Sequence, residues 1–189
     1  MASTRRHACL ALALTLVCTA FAPVASGADP FAWFSPGKVP ARWRHLTLPD
    51  RGGVLSYPPS LHRVPSDAVS VSAAKTDSTG LYAVYLNATP KQGAEELDTW
   101  PAFRVEHLRD ESATIVHEHT HAIVAFHGGT GSCVIDDYVT RFKAHHFEEI
   151  ACLVVGRTQT SVVVAAALQS QWAEARAELE QAVSAYQVR

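Results

Sequence analysis

The sequence predicts an α+β fold, an antiparallel β-sheet flanked by helices in the order βββαββββα, and three observations carry that prediction. Apolar and β-branched runs of strand length recur with only short turns between them, and just two segments space their apolar residues as a helix does. The composition, 48 % hydrophobic and 18 % charged over 189 residues, is that of one globular domain. Runs of strands joined by short connections pair antiparallel, and helices covering them give an α/β/α sandwich.

The first segment stands apart from this pattern. Arg5 and Arg6 precede the apolar run Ala8–Phe21, and Ala25-Ser26-Gly27 offers small residues for cleavage near Gly27 or Ala28, so 1–27 reads as an export signal. The apolar run falls short of the about 20 residues that a membrane-spanning helix needs, and no later segment reaches that length. Val17 stands before Cys18 where a lipidation signal favours a small residue. Removing 1–27 takes away two arginines and no acid, so the net charge moves from −2 to −4, and nothing in that balance suggests nucleic acid or an anionic membrane as partner. The expected location is therefore secreted or in the cell envelope.

Residues 28–50 carry Pro30, Pro36, Pro40 and Pro49 with Trp33 and Trp43, a composition that suits an extended leader better than a helix. The single α+β domain is expected over 51–189. Its first three strands are Val54–Tyr57, stopped by Pro58-Pro59, then Ala68–Ala74 and Leu81–Leu86, with Asp77-Ser78-Thr79-Gly80 as the turn between the last two. A helix follows over 93–109, with Leu97, Trp100, His107 and Leu108 at helical spacing. Pro101 requires either that it start near Trp100 under a Thr99 cap or that it kink there. Four strands come next, 113–126, 131–141, 147–155 and 160–167, separated by Gly128-Gly129, Lys143–His145 and Arg157–Gln159. Ser170 is the expected cap of a closing helix whose apolar stripe is Trp172, Leu179, Val183 and Tyr186.

Of the four cysteines, Cys9 and Cys18 leave with the signal. Cys133 and Cys152 remain, and an even pair in an oxidising compartment reads as a disulfide. They fall on neighbouring strands of one hairpin, where a bridge is sterically reasonable.

His117-Glu118-His119-Thr120-His121 satisfies the zinc-peptidase pattern H-E-x-x-H, with His127 where a third ligand would stand. That chemistry needs a helix, on which imidazoles four residues apart stack one turn above each other and share an ion about 2.0–2.1 Å from each nitrogen. On a strand the two histidine Cα atoms stand roughly 13 Å apart. Six of the fourteen residues in 113–126 are β-branched, which favours the strand, and the downstream methionine turn of one peptidase class is missing because the one methionine is Met1. A zinc peptidase is thus the third reading. A histidine-strand metal protein is the second: strict alternation would put His117, His119 and His121 on one face, where neighbours could share a zinc ion, against the plainer alternative of a solvated polar stripe. Asp136-Asp137 and Glu148-Glu149 across a hairpin suggest a paired-carboxylate site, against the commoner case of exposed strand acids. Asn87-Ala88-Thr89 matches a glycosylation sequon followed by Pro90, and Ser132 lacks the Gly-x-Ser-x-Gly setting of a nucleophile.

Four stretches carry a resemblance. Tyr85–Pro90 (YLNATP), Phe126–Arg141 (FHGGTGSCVIDDYVTR), Glu149–Val154 (EIACLV) and Val162–Ala167 look like a group of small exported bacterial proteins of unknown function, over most of Trp43–Arg189. In that group the His117-Glu118 pair can occur without the second motif histidine, which makes His121 a local departure. The element order resembles the PsbP/Mog1-like sandwich of some bacterial lipoproteins and plant photosystem accessory proteins. The resemblance implies a binding or assembly module, although fold alone does not fix function. The leading expectation is an exported, non-catalytic binding or accessory domain with no catalytic residue and no cofactor. Its partner would be an unidentified protein or small molecule outside the cytoplasm.

Overall fold

The computed structural model describes residues 29–111 and 113–189; the expected export signal, with Cys9 and Cys18, lies outside the described residues. Ten strands and two helices are present among them: β1 (Arg44–Thr47), β2 (Gly53–Tyr57), β3 (His62–Val64), β4 (Val71–Thr76), β5 (Tyr82–Pro90), α1 (Trp100–Glu111), β6 (Ala113–Phe126), β7 (Gly129–Thr140), β8 (His146–Gly156), β9 (Thr160–Leu168), α2 (Gln169–Ser184) and β10 (Gln187–Val188). Seven strands make one antiparallel sheet in the order β3-β4-β5-β9-β8-β7-β6, and β1-β2-β10 make a small second sheet. The α+β class stands, and the expected order is extended by three short strands. The first expected strand, now β2, joins the small sheet rather than the large one.

The period-two alternation of the long strands sorts their side chains onto two faces. On one, Val134, Ala151, Leu153, Val162 and Val164 pack against Trp100 of α1. On the other, Ile135, Ile150, Val154, Val163, Ala165 and Ala167 pack against Trp172, Leu179 and Val183 of α2 together with Leu55 and Tyr186. Ala165 and Ala167 are fully buried there, and their small side chains let α2 approach the sheet closely. Cys133 and Cys152, paired in register on β7 and β8, form the disulfide in this core.

Helix α1 begins at Trp100, so Pro101 sits in its first turn, where its missing N–H costs nothing. Helix α2 begins one residue before Ser170, behind Leu168 with no side-chain cap, so Ser170 lies inside the first turn and does not cap it. Within the expected leader, Phe31 and Leu48 are buried, Trp33, Phe34 and Trp43 pack against the main core, and Arg44–Thr47 pairs with β2. The β6–β7 hairpin turns at Gly128, whose φ of +95° is a left-handed conformation that side chains with a Cβ adopt rarely.

Candidate functional site: the cleft beneath the first helix

Because α1 covers β6, β7 and part of β8 but not β4 or β5, one face of the large sheet is left half open. The result is a cleft of about 480 Å³. Its sheet wall is polar, from Ser70 and Ser72 beside β4 and within it to Tyr85 and Asn87 of β5, and its helix wall presents Trp100, Phe103, Arg104 and His107. Asn87 Nδ2 donates to Ser72 Oγ at 3.0 Å, and Ser72 Oγ lies 3.2 Å from Tyr85 Oη, so these groups hold one another in position. The sequon asparagine is thereby committed to the cleft wall. Trp100, Phe103 and His107 stack in succession along α1 with centroids 5.9 and 6.0 Å apart, and Trp100 Nε1 donates to Ala151 O at 3.0 Å, pinning the stack to the sheet.

The cleft floor carries charge. Arg104 makes two parallel bonds to Glu149, Nε to Oε1 at 2.6 Å and Nη2 to Oε2 at 2.8 Å, with side chains 12 % and 1 % exposed. Burial opposes the Arg104 charge, but the Glu149 carboxylate outweighs it and holds the guanidinium more firmly protonated than usual. Asp136 sits directly opposite Glu149 in the β7–β8 register and is fully buried, and neither of its carboxyl oxygens has a hydrogen-bond partner. Burial, and then the neighbouring Glu149 charge, push its pKa up to about 8. Exposed strand acids were the simpler expectation for these pairs. Asp136 and Glu149 are instead buried, because they point to the α1 face between Val134 and Ala151 on one side and Tyr138 on the other.

The histidine-rich segment is a strand, and a bulge re-sorts its side chains. Pairing with β7 runs His117 to Asp137 and Glu118 to Asp136, then jumps to Thr120 opposite Ile135, so His119 is the extra residue. His117 and His119 consequently share one face, where His119 Nε2 and His146 Nε2 lie 2.7 and 2.6 Å from the two oxygens of Asp137 and His117 Nδ1 lies 3.6 Å away. Burial works against the Asp137 charge, but the His146 hydrogen bond and the nearby imidazoles win and lower its pKa below the usual carboxylate value. His121 falls on the α1 face, where its Nδ1 lies 2.6 Å from Glu118 Oε1. The expected trio His117, His119 and His121 is therefore split, because strict alternation fails at the bulge. Glu118 shares the α1 face with His121. With His117 and His121 on opposite faces of a strand, the shared-ion geometry of a peptidase helix does not arise. His127 serves through its backbone, accepting from Val188 N at 3.1 Å. Among the described residues, no group of three or more His, Cys, Asp or Glu is arranged to hold a metal ion. None of the helices described is long and apolar enough to cross a membrane.

Sequence reasoning missed Arg104, Tyr85 and Asn87 as partners in one site. The available signal was the spacing of Arg104 one turn after Trp100 and one turn before Leu108, both of them buried, which places its charge on the side of the helix turned toward the sheet.

No protein-family model matches the chain, and no characterised protein matches it by sequence. Solved structures do resemble it. Cyanobacterial PsbP (CyanoP) from Synechocystis sp. PCC 6803 superposes with a TM-score of 0.59 at 9 % identity, covering 81 % of this chain and 98 % of that one. The fold is PsbP/Mog1-like. The Ran-binding protein Mog1p of Saccharomyces cerevisiae gives 0.52 at 12 % identity, covering 77 % and 95 %. At these identities the PsbP/Mog1-like likeness establishes architecture alone.

Proposed function

We propose that this chain is an exported, non-catalytic binding or accessory domain whose ligand site is the cleft beneath α1. The observation that carries the reading is the pairing of unlike walls across about 480 Å³: hydroxyl, phenol and amide groups from β4 and β5 face the aromatic edge of α1. Sites for small ligands typically combine a flat apolar surface with a few fixed polar groups. Here Phe103 and His107 offer the surface and Ser72, Tyr85 and Asn87 the polar groups, which suits a polar ring compound or a side chain of that chemistry on a partner protein. The fold of PsbP and of the Ran-binding Mog1p supports an accessory role, with a protein partner as one form of it. Export is supported by the buried Cys133–Cys152 disulfide, which forms and persists in oxidising compartments, and by the apolar run Ala8–Phe21 behind Arg5 and Arg6 in the sequence.

The test is an amide chemical-shift titration with a panel of sugars, nucleosides and aromatic acids. Binding compounds should move the resonances of Ser72, Asn87, Phe103 and His107, and Asn87→Leu should abolish the shifts while the rest of the spectrum stays folded. Shifts confined to another surface, unaffected by Asn87→Leu, would defeat the assignment of the site.

A further inference from the structure

The two edges of the large sheet are built differently. At one end β3 is three residues long, carries Arg63 and runs into Pro65, all features that discourage another strand from pairing. At the other end β6 runs for 14 residues with no lysine, arginine or proline, and among the described residues only β7 pairs with it. Of the four exposed large hydrophobics among the described residues, two lie on this strand, Ile115 at 47 % and Ile123 at 59 % exposure, and a third, Phe142 at 76 %, lies in the turn between β7 and β8. Phe142 is held in a fixed turn, with Thr140 Oγ1 donating to its carbonyl at 2.8 Å.

We infer that the β6 edge is the contact surface for a second copy of this chain, the two β6 strands pairing antiparallel about a two-fold axis between His119 and Thr120. The bulge is what selects a self-partner. When a regular strand pairs with itself, each residue must meet one on its own face, so only alternate registers are open to it. Overlapping β6 with its own reversed copy from end to end would normally bring opposite faces together. The extra residue at His119 shifts the alternation by one, and the faces then agree from Ile115 to Val124. In that register Val116 meets Ile123 of the second copy on the α1 face, and Ile115 meets its Val124 on the other face. Glu118 meets the second copy's His121. Each half thus supplies an acid where the other supplies an imidazole, and symmetry provides the contact twice. The pair Glu118–His121 that closes within one chain at 2.6 Å has the same chemistry available across the axis. His119 and Thr120, both turned to the α2 face by the bulge, lie opposite each other at the axis. Residues on one face of a regular strand also point their backbone N–H and C=O groups toward the same edge, so on either side of the bulge agreement of faces brings the free donors and acceptors into register as well.

The experiment is sedimentation equilibrium of the purified protein over a concentration series up to about 1 mM, beyond which association is negligible as a solution state. A concentration-dependent dimer is expected. Ile123→Lys, at an exposed position that should leave folding intact by near-ultraviolet circular dichroism, should weaken it about tenfold or more, since the lysine enters the contact twice. Glu118→Lys alone and His121→Glu alone should each weaken it by a similar factor, and the two together should restore it. A monomer throughout the series overturns the inference. So does a dimer whose affinity is indifferent to Ile123→Lys, or one that the double charge reversal leaves as weak as the single changes.

Discussion

Asp136 on β7 lies directly opposite Glu149 on β8, and both carboxyl groups are buried, but only Glu149 has a counter-ion. The unpaired member is kept protonated, with its pKa raised to about 8 by burial and by the Glu149 charge. An acid whose folded pKa is raised binds its proton more tightly in the folded state. Its contribution is therefore fully present below its unfolded pKa of about 3.9 and declines as pH rises toward 8. Asp136→Asn keeps the shape of the protonated acid and cannot ionise. Urea unfolding should find the variant close to the parent at pH 4 and more stable than it by on the order of 1–3 kcal/mol at pH 9. Parallel stability curves for the two proteins between those pH values would show that Asp136 is not held as described.

Arg104 and Glu149 make the complementary case, in which a buried pair is safe only as a pair. With Glu149 1 % exposed, Arg104→Ala strands a carboxylate in the core beside Asp136, and the expected cost is about 3–5 kcal/mol in urea unfolding. Replacing both, Arg104→Met with Glu149→Leu, removes the desolvated charges together and should recover most of that loss. A double variant no more stable than the single one would mean that the bidentate contact stabilises the fold in its own right. The same double variant should narrow the polar part of the cleft floor while leaving Ser72, Tyr85 and Asn87 in place.

The long strands β6 to β9 were legible in the sequence to within two residues because dense β-branched runs are punctuated there by Gly128-Gly129, Lys143–His145 and Arg157–Gln159. The short strands β1, β3 and β10 were not. Four, three and two residues long, they are strands only because a neighbour supplies the other half of the ladder, a tertiary fact with no local period. The candidate site divides in the same way. Asn87 and Asp136 are visible as polar residues in apolar strands, but which face each takes depends on register. The bulge at His119 is invisible until β7 is laid alongside, and with it goes the assumption that His117, His119 and His121 act as a set. The leader belongs with the part that was not legible: its prolines mark extended chain, but that Trp33 and Trp43 pack against the core is again a tertiary fact with no local signal.

Cys133 and Cys152 face each other on adjacent strands, both fully buried in the core beneath α2, and the bridge closes a segment with a sequence separation of 19. A loop of that length loses enough unfolded-state freedom to stabilise the fold by about 3 kcal/mol, so replacing both cysteines with alanine should lower stability by about 2–5 kcal/mol. Burial adds a kinetic consequence. A reductant cannot reach either sulfur until the sheet opens, so thiol labelling in dithiothreitol should proceed at the rate of unfolding and accelerate with urea in parallel with it. Rapid labelling of the folded protein at a rate set by reductant concentration alone would place the bridge at the surface and remove it from the core that α2 covers.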